Sequence, residues 1–417
     1  MKILGYTSPA RGHLFPLIPI LTELRDRGHL VSVRTLAGSV DVVRSLGLSA
    51  HAVDPRIEAI EHDDFTARSA VGAVKRSTAT FVKRSEFESS DLASAISSDR
   101  PELLLIDTNC WGAAAVAEAS GLPWASWLPY PAPFPGKGIP PFGPGFAPAG
   151  NRQGRLRDAV LGRLITTSVA RTIRPPLNAV RASIGVPELR DTREVFTRPP
   201  LTLYLTAEPF EYHRVDWPAS FRLVGPVSYD PPADPPPGLA EIDRPIVLVT
   251  TSSEFQDDAR LVATTLTALE DEDVFVIATL PAGDPAGIDI PANAWVEHWI
   301  PHSALLPRAA CVITHGGMGA TQKALSHGVP VVAVPFGRDQ LEVARRVEVS
   351  GAGVRLPLRR LTAARLRAAV REATARSGRA GELAQAMNSA GGAPKAADEI
   401  EQLAATWTAG PEATVPS

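Results

Sequence analysis

The chain has 417 residues, more than one hydrophobic core usually serves, so two domains are expected. Its 44% hydrophobic and 21% charged content is that of an ordinary globular protein, and a net charge of −3 without a long basic stretch argues against nucleic-acid binding. The two cysteines, Cys110 and Cys311, both sit in apolar surroundings and read as buried thiols, not as a disulfide or metal pair. No secretory leader is recognisable and no apolar run is long enough to span a bilayer, so a cytoplasmic enzyme or binding protein is expected.

The first half alternates short apolar runs with amphipathic ones. Residues 2–7 predict a strand, and 14–26 a helix with Leu14, Leu17, Ile18, Leu21 and Leu24 on one face. Strands follow at 29–36 and 102–107, then a small-residue helix at 113–119 stopped by Gly121, and a strand at 123–128. Residues 129–150, rich in Pro and Gly and carrying Phe134, Phe142 and Phe146, form a long loop of the kind that is usually functional. A proline-rich stretch at 225–245 reads as an interdomain linker. The alternation then restarts: strands at 246–251, 274–279, 294–298, 309–314 and 329–335, and helices at 258–269, 340–349 and 363–375, the last capped by Thr362. Residues 381–406 look helical and 407–417 disordered. Strands alternating with helices imply parallel sheets covered on both faces, hence an α/β class with two similar halves facing across a cleft.

His315-Gly316-Gly317-Met318-Gly319-Ala320-Thr321 follows the strand at 309–314 and opens a helix. A glycine-rich turn in that position bares backbone N–H groups at the positive end of a helix dipole, where a phosphate or diphosphate binds. His315 adds a side-chain donor. The spacing is neither that of the dinucleotide fingerprint nor that of the Walker loop.

A second constellation lies at the end of the first strand, in Arg11-Gly12-His13-Leu14-Phe15-Pro16. A helix N-terminus disfavours an imidazolium, so a neutral His13 at the cleft suits a general base. Asp107 ends another strand and is placed to orient that imidazole. The plainer readings are a capping histidine and an N-cap aspartate. Smaller signals are Trp299, exposed for stacking on a base; Asp339-Gln340, an acceptor and an amide at a strand end; and Ser252-Ser253 at the end of the first strand of the second half. Asp271-Glu272-Asp273 reads as a solvated charge run, so no metal site is expected.

Together these residues resemble glycosyltransferase family 1, and the bacterial natural-product (antibiotic) enzymes most closely. The likeness covers nearly the whole chain: Gly12-His13-Leu14-Phe15-Pro16, Asp107 through Trp111-Gly112, and the block from Trp299-Ile300-Pro301 through His315-Gly316-Gly317, Gly328-Val329-Pro330 and Asp339-Gln340 to Gly351-Ala352-Gly353. The resemblance implies the GT-B fold of two Rossmann-like domains: residues 1–224 for the acceptor, 246–390 for the nucleotide-sugar, and 391–417 as a helix crossing back with a loose tail. It implies inverting, metal-independent transfer without a cofactor, the nucleotide-sugar being a co-substrate.

By position, His13 resembles the base and Asp107 its partner. Gly12, Ser253, Trp299, Ile300, His315, Gly316, Gly317, Gly319, Ala320, Thr321, Asp339 and Gln340 resemble the donor contacts, with Thr321 standing in for a hydroxyl that Ala320 lacks. Phe134, Phe142, Phe146 and the segment 56–90 are expected to line an acceptor pocket. Lys323 stands where many members have a ribose-binding glutamate, and His302 where many have glutamine. The first departure favours a dTDP-sugar, whose deoxyribose has no 2′-hydroxyl, over a UDP-sugar. The partners implied are such a donor and a small hydrophobic acceptor, with a homodimer possible and no nucleic acid or membrane. Other readings are a UDP-glucose-dependent detoxifying transferase, a sugar-nucleotide epimerase or hydrolase, and a non-catalytic helper protein on the same fold.

Overall fold

The computed structural model describes residues 1–407 apart from 65, 66, 68, 69, 235, 253–257 and 284–286. Seven strands form the first sheet: β1 (Lys2–Tyr6), β2 (Leu30–Thr35), β3 (Ser49–Ala52), β4 (Leu103–Asp107), β5 (Trp124–Leu128), β6 (Leu201–Tyr204) and β7 (Phe221–Leu223). Their order is β3-β2-β1-β4-β5-β6-β7, with every pairing parallel. Six more form the second: β8 (Ile246–Thr250), β9 (Phe275–Thr279), β10 (Ala294–Glu297), β11 (Ala309–Thr314), β12 (Val331–Ala333) and β13 (Gly353–Arg355). Their order is β10-β9-β8-β11-β12-β13, again all parallel. Every residue of β4, β5 and β8 is buried, as expected of strands covered on both faces.

The first helix, Arg11–Asp26, packs Leu14, Leu17, Ile18, Leu21 and Leu24 onto the first sheet. Each such leucine contributes about 2 kcal/mol of hydrophobic stabilisation. The helix starts three residues before its apolar stripe, because Arg11, Gly12 and His13 face the cleft and carry no periodic signal. Two elements absent from the sequence reading are helices of 30 and 33 residues, Ala70–Asp99 and Arg152–Ile184. The second contains Pro175 and Pro176, which read as breakers in sequence; Asn151 caps its start and left-handed Gly185 its end. β3, β6 and β7 are also additions.

The predicted C-terminal helix is two helices, Ser377–Asn388 and Gly392–Thr406, separated at left-handed Gly391. The last places Ala396, Ala397 and Ile400 in the hydrophobic core of the first sheet. Arg27 bonds Asp398 at 2.7 Å and Glu401 at 2.8 Å, and His29 Nε2 meets Glu401 at 2.8 Å. The two halves also meet in a buried ion network. Arg346 pairs with Glu211 at 2.7 Å and with Glu342 at 3.3 Å, all three side chains being buried. No helix among the described residues is long and apolar enough to cross a membrane. The predicted features at Ser253 and 408–417 lie outside the described residues.

Candidate active site

Each sheet has one point where its strand order reverses, between β1 and β4 in the first and between β8 and β11 in the second. Crevices beyond the carboxyl ends of strands open at such points. His13 follows β1 and Asp107 ends β4; Ser252 follows β8 and His315 follows β11. One cavity of about 2410 Å³ receives His13, Ser252 and His315 together.

On the first side, His13 Nδ1 donates to Asp107 Oδ1 at 2.9 Å. Asp107 is buried and accepts three more bonds: from the Ser8 N–H at 2.9 Å, the Ser8 hydroxyl at 2.7 Å and the Asn109 N–H at 2.9 Å. Burial pushes its carboxyl up, but His13 and these donors outweigh it and the net shift is downward, so the carboxylate is charged. The Trp127 indole N–H donates to the His13 carbonyl at 3.3 Å, anchoring the turn that carries the imidazole. Asn109 Nδ2 stands 3.3 Å from His13 Nε2, while its Oδ1 accepts from the Tyr130 hydroxyl at 2.8 Å. With Nδ1–H on Asp107 and an amide donor opposite Nε2, the tautomer with a lone pair on Nε2 is favoured. Ser8, Asn109 and Tyr130 were not singled out in the sequence; the position of Asn109 two residues beyond Asp107 was the available clue.

On the second side, the helix Met318–Ser326 begins at Gly317 with no side-chain cap, and its first bond runs from the Thr321 N–H to the Gly317 carbonyl at 3.0 Å. The N–H groups of Met318, Gly319 and Ala320 therefore point off its end, and all three residues line the cavity. Gly316 has φ +89°, and a Cβ on Gly317 would come within 2.5 Å of His315 Nε2, so both positions need glycine. Burial lowers the His315 pKa, and Asp258 on one side and Arg338 on the other only modify that. Its buried Nδ1 has no hydrogen-bond partner among the described residues. Trp299 is 38% exposed on the cavity wall, and Gly12 lies opposite.

Several expectations need correction. Thr321 is fully buried and off the cavity, so its hydroxyl does not replace the one Ala320 lacks. Gly316 is also off the cavity, and its N–H bonds the Thr314 hydroxyl at 3.3 Å. The Ile300 side chain is in the core, so the contact expected of Ile300, which is through its backbone, does not involve that side chain. Gln340 does line the cavity, though its side chain is largely buried and its Oε1 accepts the Phe336 N–H at 2.8 Å and the Gly337 N–H at 3.0 Å, bracing the turn beside Asp339. Asp339 lines the cavity without capping its helix, and burial raises its carboxyl to about 6. Phe146 lies under Arg157 and away from the cavity. Phe134 is mostly buried against Phe196 and Phe221 but reaches the cavity edge beside Phe142. The segment 56–90 supplies His62, Ser77, Thr78, Phe81 and Arg84 to the wall.

Lys323 is held by an ion pair to Asp230 and by the Tyr229 carbonyl, and Asp230 also accepts the Ser303 N–H at 2.8 Å. Burial, then the Lys323 charge, lowers the His302 pKa to about 4, so that ring is neutral. Glu272 is engaged by Arg371 at 2.8 Å, and among the described residues no group of three His, Cys, Asp or Glu is arranged to hold a metal.

Comparison with known proteins agrees with this architecture. The family described as erythromycin biosynthesis protein CIII-like, C-terminal domain, matches residues 263–405. The 4'-demethylrebeccamycin synthase of Lentzea aerocolonigenes is 36% identical over 388 residues, which cover 89% of this chain and 91% of that protein. The crystal structure of the glycotransferase of kitacinnamycin superposes with a TM-score of 0.74 at 24% identity, covering 96% of this chain and 98% of the other. Glycosyltransferase VinC in complex with dTDP gives 0.72 at 23% identity, covering 97% and 100%. With two parallel Rossmann-like sheets facing one cleft and a relative matched over almost its whole length, the chain belongs to the antibiotic and natural-product glycosyltransferases of family 1, with the GT-B fold.

Proposed function

We propose that this glycosyltransferase moves a sugar, in particular a deoxysugar, from dTDP to a hydroxyl of a hydrophobic natural-product acceptor, with inversion and without a metal. The observation that carries the proposal is the His13–Asp107 pair facing the uncapped start of the helix Met318–Ser326 across a single cavity. The acceptor O–H gives its proton to His13 Nε2 as the oxygen attacks the anomeric carbon. The bond from that carbon to the diphosphate oxygen breaks, and its electron pair leaves with the diphosphate. Asp107 stabilises the imidazolium; His315 and the N–H groups of Met318, Gly319 and Ala320 receive the growing negative charge, where preorganised donors help most. A single displacement from the opposite face inverts the anomeric centre.

In this reading Trp299 stacks on the base and Asp339 accepts from a sugar hydroxyl, both residues lining the cavity. In favour of dTDP, the Lys323 ammonium is tied to Asp230, so the helix offers no carboxylate to a ribose 2′-hydroxyl. The dTDP in VinC supports the same choice. The test pairs thermal stabilisation by dTDP and UDP with turnover of the His13→Ala variant. The proposal requires an upward midpoint shift with dTDP in both proteins and loss of transfer only in the variant. Full turnover by His13→Ala would remove the base from the mechanism, and a UDP-selective shift would replace the donor.

A further inference from the structure

The acceptor side of the cavity continues beyond the wall described above. A groove of about 1220 Å³ runs between the helices Ala70–Asp99 and Arg152–Ile184. Thr78, Arg163, Leu164, Thr167, Ser168 and Thr172 line both the groove and the main cavity, so the two spaces are continuous.

Ala79, Val82, Val160, Leu164 and Pro176 give the groove an apolar lining. Leu156, Val160 and Leu164, spaced by four along the helix, share one face and are 66%, 52% and 62% exposed. Large apolar side chains left uncovered in a row mark a surface that meets something apolar.

The same groove is lined by Lys75, Lys83, Arg163 and Arg171, and by no carboxylate. None of these four cations has a carboxylate partner among the described residues. On the main cavity wall, Arg338 pairs with Asp64 and Lys323 with Asp230. A chain of net charge −3 thus gathers four uncompensated positive charges along one apolar channel. Singly, exposed cations bind weakly; lining one groove together, they create a potential that draws in an anion.

We propose that this groove is an extension of the acceptor site that takes the anionic end of an elongated, otherwise apolar acceptor. The inference rests on the reading that the acceptor binds on the first-sheet side of the cavity, and it names the class of that acceptor. The anionic group is a carboxylate, sulfate or phosphate; the apolar body lies on Val160 and Leu164 and reaches toward the cavity that holds His13.

The probes are ω-hydroxydodecanoate and dodecanediol, alike in length and differing in one terminal charge. Each is titrated calorimetrically into the full chain and into a Lys83→Glu/Arg171→Glu variant, without nucleotide. The acid is expected to bind about tenfold more tightly than the diol in the parent chain, and the variant to lose that preference while binding the diol as before. Equal binding of acid and diol by the parent chain would overturn the proposal, as would an undiminished preference in the variant. Both altered side chains are exposed, and a Lys83→Ala/Arg171→Ala variant repeats the test without new charge. Sedimentation with phosphatidylglycerol vesicles is the second arm. Vesicle binding that the variant loses, without selectivity for the free acid, would make this face a membrane contact and overturn the acceptor assignment. A separate dTDP melt judges the donor reading, whose failure leaves the titrations decisive.

Discussion

Glu342 accepts the backbone N–H groups of both Gly143 and Gly145 on one carboxylate oxygen, each at 2.8 Å. Glu342 belongs to the helix that starts immediately after Asp339, whereas the two glycines belong to the long loop that carries Phe142. Arg345, on the same helix, donates to the Gly145 carbonyl at 2.8 Å. The residue proposed to hold the donor sugar and the loop that walls the acceptor side are therefore mechanically joined. In a Glu342→Ala variant, faster amide exchange across 136–150 and an acceptor KM raised several-fold are expected. Arg346 keeps Glu211, so the stability loss should be about 1–3 kcal/mol. Unchanged exchange in that segment would sink the coupling.

Asp107 has four donors pointed at it, and asparagine cannot satisfy them all. An Asp107→Asn variant presents an amide N–H₂ where an acceptor is required and removes the charge that stabilises His13 as it gains a proton. We expect kcat to fall roughly 10²–10⁴-fold while stabilisation by dTDP persists. Loss of the dTDP shift together with turnover would show instead that the substitution damages the fold.

Asp339 has its carboxyl raised to about 6, with burial as the main cause. Below that pH the protonated group no longer offers a charged acceptor to a sugar hydroxyl. Affinity for dTDP-glucose should weaken as pH falls from 7 to 5, approaching about tenfold per unit, whereas affinity for dTDP should not follow it. Asp339→Asn should be weak and flat across the range. Parallel curves for the two ligands in the parent chain would remove Asp339 from sugar recognition.

Glu88 is fully buried and its carboxyl is raised to about 8, first by burial. Its ordinary value is 4.5, so folding favours the protonated form. Stability from this group is complete below about pH 4.5, declines as pH rises through the folded value near 8, and is level above it. Glu88→Gln keeps an acceptor for the Gly112 N–H at 2.9 Å and removes the ionisation. The variant should gain on the order of 3–5 kcal/mol relative to the parent chain at pH 9 and almost nothing at pH 4.5, measured by denaturant unfolding. A gain independent of pH would mean that Glu88 titrates in the folded chain at its ordinary value.

What sequence revealed of the site was what lies at strand ends. His13, Asp107 and His315 were legible because a strand followed by a turn and a helix fixes where the next residues point. Ser8, Asn109 and Tyr130 were not, since their bonds depend on how three separate strand ends are juxtaposed, and no spacing records that. Thr321 shows the limit within a single helix. It is one residue from Ala320, but one residue is a turn of about 100°, which carries its side chain from the cleft into the core. The helix Arg152–Ile184 was hidden by Pro175 and Pro176 and by an outer face that is not polar enough to show a clean period.

The closing helix Gly392–Thr406 makes the first half discontinuous in sequence. An exchange of halves between related enzymes, with the join placed in the proline-rich connection, would leave the first core without its own Ala396, Ala397 and Ile400 and Arg27 without its own Asp398 and Glu401. A chimera built to combine one acceptor specificity with another donor therefore needs two junctions, the second at the Gly391 break, so that the final fifteen-residue helix travels with the segment it covers.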